Sequence, residues 1–461
     1  MNREITESQR AWLKVELESW RGLGLVSDDQ ALAVLSLYGT EAQAAERRQS
    51  RALAILLFLS ALLAGLGVLL LIGYNWAAMP SAAKVVLILA AVITAHSAGL
   101  KLRSQKEKAT ASEVAFFLGC LLFGAGIGLI GQIFHVNAND AGAFWWWAIG
   151  VLPFALALEG IAFHVLFVAL AATWCGYEVL GFGNLGAWFF GRWGGIPNGA
   201  YSLLALAAPG FALAYKRKSA PLLSLYVPLI AWWVVLQPFA WRFHENPAYF
   251  IGSVGGLLLL AAELHRAGDP MAVPYRFHGT ALVGGLLIPM SFSEFHRFGW
   301  GAGTDLIPML VEPVVVAALA LILLAVAVGL RRRGEPGGSW NEDWLAVVRT
   351  ATTPLGLIGM FVAMGLWRLV TGGEPIAPTI AANLAMLALA FWLMRLGLRD
   401  DRGLPFSVGV GYFLLWTMLR YFDLFGDFGG MLGAALMFFL CGAALFGVAL
   451  YWRRRKEVTL A

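Results

Sequence analysis

The stretch that decides the fold reads SEVAFFLGCLLFGAGIGLIGQIF, residues 112–134, and it contains one charged residue, Glu113. A helix of about 20 apolar residues crosses roughly 30 Å of hydrocarbon while making every backbone hydrogen bond internally. This stretch is therefore long enough to span a bilayer. Polar residues, HVNAND (135–140), and the three tryptophans at 145–147 follow it, which is typical of a helix that ends at a membrane interface.

The composition of the whole chain predicts the same class of protein. Of its 461 residues, 59% are hydrophobic and 13% are charged, whereas an average soluble protein carries about 25% charged residues. A water-soluble fold could not bury so much apolar surface. We therefore predict an all-α fold, a polytopic helical membrane protein whose first partner is the lipid bilayer.

Apolar segments of similar length recur along the chain, and from them we predict about 14 transmembrane helices. The predicted spans lie near residues 52–73, 82–102, 112–134, 143–159, 161–180, 199–215, 220–240, 247–264, 277–293, 305–330, 343–369, 375–397, 405–422 and 429–452.

The positions of the basic residues predict the orientation of these spans. Lysine and arginine accumulate in cytoplasmic loops, and here they accumulate in every second connection, which predicts that both termini are cytoplasmic. The net charge of +5 follows from this topology, so no nucleic-acid partner is expected. The basic connections are residues 46–51, 101–108, 216–218, 265–276, 331–333, 395–402 and the tail 453–457.

The first 50 residues are the one sizeable polar segment. Thr6 with Gln9, and Ser27 with Gln30, match the capping box that begins a helix. We predict a small cytosolic hairpin of amphipathic helices, which either packs against the membrane domain or a second copy, or binds a regulatory partner. The predicted domains are the hairpin at 1–50, spans 1 to 4 at 51–160 and spans 5 to 14 at 161–461.

One group of candidate site residues lies in turns that this topology places on the outer face. Three histidines there each follow a phenylalanine, which suggests a shared site for a proton, a metal or an anionic head group. The other interpretation is that these polar residues only complete the hydrogen bonds of helix ends. The candidates are Gln132, His135, Asp140, His244 and His296.

A second group lies inside the predicted spans, where an ionisable side chain is costly unless it is paired or hydrated. Glu312 is bracketed by two prolines, Arg349 precedes a kink predicted at Thr353–Pro354, and Asn383 lies in the next span. These spans could form a discontinuous-helix site of the kind found in secondary transporters. Alternatively, Glu312 and Arg349 reach water by snorkelling.

The pair formed by Arg420 and Asp423 is a weaker candidate than either group. The two residues lie one helical turn apart near the end of the thirteenth predicted span. Charged side chains at helix ends usually reach water, and we expect these two to do so.

Motifs of known chemistry are missing or lie in the wrong context. Cys120, Cys175 and Cys441 lie in apolar runs without CxxC spacing, so neither a disulfide framework nor a cysteine-bound metal is expected. GFGNLG (181–186) spells a dinucleotide-binding pattern, but it follows an apolar span and not a strand. There is no GxxxxGK[ST] loop, HExxH or GxSxG. We therefore expect no cofactor and assign no catalytic residue.

Three stretches resemble one family of membrane proteins. They are ELESWRGLGLVSDDQALAVLSLYG (16–39), GLGVLLLIGYNWAAMPSAAKVVLIL (65–89) and LLFGAGIGLIGQIFHVNANDAGAFWWWAIGVLPFAL (121–156). The resemblance is to the bacterial membrane proteins grouped as domain of unknown function 2157, and it covers roughly residues 1–160. It implies a multi-pass protein of the bacterial inner (plasma) membrane. Because that family has no assigned activity, the resemblance carries over no site residue.

Two classes of function fit these observations. The first is a secondary-type transporter or flippase for a small molecule, an ion or a lipid-linked compound, driven by a proton gradient. The second is a protein that does not transport: a scaffold or sensor that acts through the hairpin, or a lipid-modifying enzyme that uses the outer histidines. Its partners would be a small-molecule or lipid ligand, a second copy or another membrane protein.

Overall fold

A computed structural model of the chain describes most of the predicted helical regions. It describes residues 7–37, 79–105, 108–134, 141–180, 199–241, 247–265, 269–297, 306–334, 340–399 and 403–425, with scattered positions at 53–74, 439 and 442. Within these ranges the fold is all-α and has sixteen helices. The predicted first and last spans, at 52–73 and 429–452, lie largely outside the described residues.

The first compact unit covers residues 1–138. It contains α1 (Glu7–Gly22), α2 (Asp28–Leu37), α3 (Ser81–Arg103) and α4 (Ala109–Ile133).

The turn between α1 and α2 confirms the capping box predicted at Ser27 and Gln30. The backbone amide of Gln30 donates to Ser27 Oγ over 3.3 Å, and the backbone amide of Ser27 donates to Gln30 Oε1 over 2.9 Å. Gly24 has φ +72°, a left-handed conformation that glycine adopts without strain. Leu17 and Ala31 are buried in the unit, whereas Trp12 and Leu25 are exposed. Two short helices therefore lie within the segment predicted as the hairpin, and the cytosolic hairpin and its partner remain predictions.

Helices α3 and α4 pack closely through small residues. A Cβ at Gly99 would lie 2.9 Å from the Phe116 ring, and one at Gly126 would lie 2.7 Å from Ile88. The Ser112 hydroxyl donates to the Gly99 carbonyl over 2.7 Å. Small residues of this kind let apolar helices approach closely in a membrane, where lipid provides little drive for association.

The second compact unit covers residues 139–461 and holds the remaining helices. They are α5 (Gly142–Ala157), α6 (Ile161–Leu180), α7 (Ser202–Lys216), α8 (Ala220–Trp241), α9 (Pro247–Ala262), α10 (Ala272–Met290), α11 (Ser293–Arg297), α12 (Leu306–Gly334), α13 (Trp340–Thr350), α14 (Thr352–Thr371), α15 (Ile376–Arg399) and α16 (Gly403–Phe425). Helix α9 is buried along most of its length and packs against α8, α10, α12 and α14.

The predicted spans agree closely with the helices wherever the structure describes them. Eleven predicted spans each coincide with one helix to within a few residues. Among the described residues, six helices are long and apolar enough to cross a membrane, or seven if α13 and α14 form one bent span. Three further apolar helices, α5, α7 and α9, are shorter than 18 residues. The total of about 14 spans remains a prediction.

The predicted span 343–369 is two helices, and the predicted kink is confirmed. α13 and α14 meet at an angle of 73° with the break at Ala351. Pro354 has no amide hydrogen to donate to the carbonyl four residues earlier, so the helix cannot continue regularly through this turn. Neighbouring hydroxyls bond to carbonyls at the break: Thr350 Oγ1 donates to the Val347 carbonyl, and Thr352 Oγ1 to the Arg349 carbonyl.

Candidate functional site

The structure describes some of the predicted outer-face residues and not others. His135, Asp140 and His244 lie outside the described residues. Gln132 is exposed in the last turn of α4, in the first unit. His296 lies on the short helix α11 in the second unit, where it is only 7% exposed.

Both ring nitrogens of His296 take part in hydrogen bonds. Nε2 lies 2.8 Å from the Met290 carbonyl, which can only accept, so Nε2 carries the hydrogen. Nδ1 then accepts from the Tyr249 hydroxyl over 3.1 Å. Burial lowers the pKa of His296 below its ordinary value of 6.5, and the nearby Arg368 lowers it further. A neutral histidine in this arrangement attaches α11 to α9 and α10 and leaves no lone pair free for a metal.

Asn383 joins three helices at the same end of this unit. Its Nδ2 donates to the Ser291 carbonyl over 3.0 Å and to the Thr379 carbonyl over 2.8 Å. Its Oδ1 accepts from Trp416 Nε1 over 2.9 Å. Asn383 lies seven residues beyond Ile376, the first residue of α15, which places it about 10 Å along the helix. Polar contacts therefore extend into a helix that is apolar enough to cross a membrane.

Arg420, in the penultimate turn of α16, is buried beside these residues, and the prediction that it reaches water is wrong. It is 6% exposed. Nη2 donates to Ser291 Oγ over 3.1 Å, Nη1 is paired with Asp423, and the guanidinium lies 4.6 Å from the centroid of the Phe292 ring. The end of α10 covers a side chain that the sequence places near a helix terminus. The Asp423 side chain is 33% exposed and does reach water.

We call the hydrogen-bonded residues at this end of the second unit the Arg420 cluster. They come together because the ends of four helices lie next to one another. The starts of α9 and α15 lie at the same end of the second unit as the ends of α10 and α16. The cluster consists of Tyr249, Ser291, His296, Asn383, Trp416, Arg420 and Asp423.

The rim of the cluster is rich in charge. The positive charges of Arg297 and Arg420 favour the ionised form of Glu294, and the positive charge of Arg368 favours the neutral form of His296. Hydrogen bonds from its own backbone amide and from Ser293, followed by these arginines, lower the pKa of Glu294. With a neutral histidine, the arginines at this end are Arg297, Arg368 and Arg420. The carboxylates are Glu294, Asp423 and Glu374, which lies in the loop between α14 and α15.

Two of the three predicted transport-path residues, Arg349 and Asn383, lie at opposite ends of the second unit. Asn383 belongs to the Arg420 cluster, and Glu312 is buried on α12 at 8% exposure. Arg349 is exposed in the last turn of α13. α14 begins directly after it and ends near Arg368 at the cluster, about 25 Å away over 17 residues. Arg349 therefore lies at the opposite end of α14 from the cluster.

Sequence reasoning did not identify Ser291 and Trp416 as site residues. Ser291 follows the last residue of α10 and has no distinctive neighbours in the sequence. A usable signal existed in α16, where Trp416 and Arg420 are four residues apart in an otherwise apolar run and so share one helix face.

These elements define a helical membrane protein that has several apolar helices and a polar cluster at one end of its second unit. Residues 18–163 match the model of the family described as predicted membrane protein, domain of unknown function 2157. This match confirms the resemblance found in the first third of the sequence. No curated protein and no solved structure matches the chain. The Arg420 cluster lies outside the matched segment.

Among the described residues, no group of three or more histidine, cysteine, aspartate or glutamate side chains could hold a metal. The cluster instead presents one buried guanidinium, one partly exposed carboxylate and a set of neutral hydrogen-bonding groups. Such a set can hold an anion or exchange one ion pair for another.

Proposed function

We propose that this protein is a secondary-type transporter or flippase for a small molecule, an ion or a lipid-linked compound. The observation that carries the proposal is the Arg420 cluster, a polar network at one end of an apolar helical bundle, with a buried arginine and with Asn383 about 10 Å along α15. Polar and charged side chains inside a membrane are costly, and they usually mark the path of a substrate or ion.

A second polar group at the opposite end of the same unit supports the proposal. The Tyr215 hydroxyl lies 3.2 Å from His265 Nε2 and 2.8 Å from the Tyr275 hydroxyl. Beside them, Arg276 and Glu263 form a salt bridge of 3.5 Å in which both side chains are mostly buried. Tyr215 is in the last turn of α7, and the other four residues follow α9 or lie near the start of α10. The Arg420 cluster is instead at the start of α9 and the end of α10. A substrate path through the unit would thus have polar groups at both ends.

Glu312 is the residue we propose for proton coupling. It is buried in the second turn of α12 and is followed directly by Pro313, which removes one backbone donor from the helix. A carboxyl group in such a place can carry a proton between two conformations. The broken span α13–α14 packs against α12 and provides a place where two halves of a helix can move separately.

Flux measurements in proteoliposomes test this function. Two probes cover the proposed substrates: proton entry reported by trapped pyranine, and inward movement of NBD-labelled phosphatidylglycerol reported by protection from dithionite. We expect flux of at least one probe with the wild-type protein. Glu312→Gln removes the titrating proton, and we expect it to reduce this flux at least tenfold, a barrier change of about 1.4 kcal/mol.

The matched control is Glu18→Gln, which removes an exposed carboxylate from α1 and should leave the flux unchanged. Expression and gel-filtration profiles show whether each variant is folded. A wild-type protein that moves neither probe contradicts the transport proposal. Equal flux in the wild type and a folded Glu312→Gln protein contradicts the role of Glu312.

A further inference from the structure

We infer that the Arg420 cluster is a binding site for an oxyanion, a phosphate or carboxylate group carried by a small molecule or by a lipid head group. Asp423, paired with Nη1, is the resident counter-ion, and an anion bound at the Nε edge of the guanidinium takes over the compensation of its charge. The inference rests on the proposed function in taking the anion to be part of the substrate. Binding itself can be measured without any transport.

The hydrogen bonds of Arg420 are the first support. A guanidinium has five N–H donors in a rigid plane. The structure pairs Nη1 with Asp423 and Nη2 with Ser291, while Nε is buried and has no partner within the described part of the chain. An unpaired donor on a buried charged group costs free energy and calls for a partner. Because Nε and Nη2 point along one edge of the guanidinium, an oxyanion can accept from both at once.

The support of the guanidinium plane is the second argument. Phe292 lies against the face of the guanidinium at 4.6 Å. Ser291 Oγ, which accepts from Arg420, itself donates to the Ile288 carbonyl over 2.7 Å. Asn383 holds the backbone of Ser291 in turn. The arginine is thus preorganised, so an anion would bind without first ordering a flexible side chain.

The difference in exposure between the two charges is the third argument. Arg420 is buried, whereas the Asp423 carboxylate is one-third exposed and lies in the last turn of α16. The carboxylate can rotate into water at little cost, but the guanidinium cannot follow it. Loss of Asp423 from the pair would leave the exposed Glu294 as the carboxylate that acts on Arg420 among the described residues, and a bound anion would compensate the buried charge.

The surroundings of the cluster indicate the kind of anion. The cluster lies where helix ends meet, with the Phe292 ring beside the guanidinium and Trp416 one turn before Arg420 in α16. Aromatic side chains at helix ends are typical of the level of lipid head groups. A soluble phosphate and the phosphate of a lipid head group share the chemistry that the guanidinium recognises, and the experiment separates these two sources.

The test uses the full-length protein in nanodiscs and two probes. The first is inorganic phosphate, titrated by calorimetry against protein in neutral phosphatidylcholine. The second is phosphatidylglycerol mixed into the nanodisc, with the retained lipid counted by native mass spectrometry. Binding of phosphate identifies a soluble anion as the ligand, and retention of phosphatidylglycerol alone identifies a lipid head group. A wild-type protein that binds neither probe overturns the inference.

Two variants and one control give the direction of the effect. Asp423→Asn keeps Arg420 and removes its competitor, so we expect the bound probe to bind about tenfold more tightly. Arg420→Gln should lose the binding. Arg395→Gln removes an exposed arginine from the far end of α15 and should bind as the wild type does.

The possible outcomes separate this inference from the proposed function. If Arg420 only anchors α16 to α10, the Asp423→Asn protein will bind phosphate or phosphatidylglycerol no more tightly than the wild type does. That result overturns the inference even if the Arg420→Gln protein is unstable and cannot be measured. If binding follows the expected order but no flux is seen, the anion site stands and the transport proposal fails. If flux occurs but the binding affinities of Asp423→Asn, the wild type and Arg420→Gln do not fall in the expected order, the transport proposal stands and the anion site fails.

Discussion

Gly210→Ala is expected to lower the free energy of unfolding by about 3 kcal/mol, because it places a methyl group where the Tyr226 ring already lies. Gly210 is in α7, and a Cβ there would overlap the Tyr226 hydroxyl and the ring atoms next to it. Tyr226 is fully buried and cannot move aside into lipid or water. Its hydroxyl is 2.8 Å from His164 Nδ1, so any displacement also breaks a buried hydrogen bond between α6 and α8.

The measurement is unfolding of the purified protein in mixed micelles as the fraction of sodium dodecyl sulfate rises. The matched control is Gly356→Ala in α14, where no atom lies within 4 Å of the added methyl group. We expect the control to be neutral or up to about 1 kcal/mol more stable, since alanine favours a helix over glycine. Equal midpoints for the Gly210 and Gly356 variants would show that α7 and α8 do not pack as described.

Asn383→Leu is expected to lower the free energy of unfolding by about 2 kcal/mol. The leucine fills nearly the same volume but removes the bonds to Ser291 and Trp416 that join α15 to the end of α10 and to α16. An unpaired buried polar group costs about 1–3 kcal/mol, while hydrogen bonds between membrane helices average only about 0.6 kcal/mol. The expected value lies between about 1.2 kcal/mol for the two bonds themselves and about 2–6 kcal/mol for leaving both buried partners unpaired.

A double-mutant cycle with Trp416→Phe tests this assignment in the same micelle assay. Because Trp416 Nε1 and Asn383 Oδ1 are partners, the two changes should cost less together than the sum of their separate costs. Asn383→Asp, which keeps the Oδ1 acceptor for Trp416 but replaces the Nδ2 donor with an oxygen, should fall between the wild type and the leucine variant. Strict additivity of the first two changes would contradict the hydrogen bond between them.

Hydropathy alone predicted most of the helix positions, because a membrane span needs about 20 apolar residues whatever it packs against. The predicted span 161–180, for example, is helix α6 with the same bounds. A kink is predicted at Thr353–Pro354 because proline removes a hydrogen bond locally, and the break lies just before this pair, at Ala351. These are properties of consecutive residues, so a single sequence contains them.

The Arg420 cluster could not be predicted in the same way. Ser291 and Arg420 are 129 residues apart and meet only because α10 and α16 end at the same place. The expectation that Arg420 reaches water came from its distance to a helix end, and nothing in the sequence says which neighbour covers that end. Asn383 was correctly singled out as a polar group in an apolar helix, but its partners depend on packing. The sequence likewise does not show why residue 210 is glycine, because the reason is its contact with Tyr226 on another helix.

The central claim is that the Arg420 cluster lies on the path of an anionic substrate through the membrane. The most direct test is the rate at which proteoliposomes move NBD-labelled phosphatidylglycerol, compared between the wild type and a folded Arg420→Gln protein at equal reconstitution. We expect the wild-type protein to move the labelled lipid and the Arg420→Gln protein to move it at least tenfold more slowly. Movement at the same rate in both proteins would contradict the central claim.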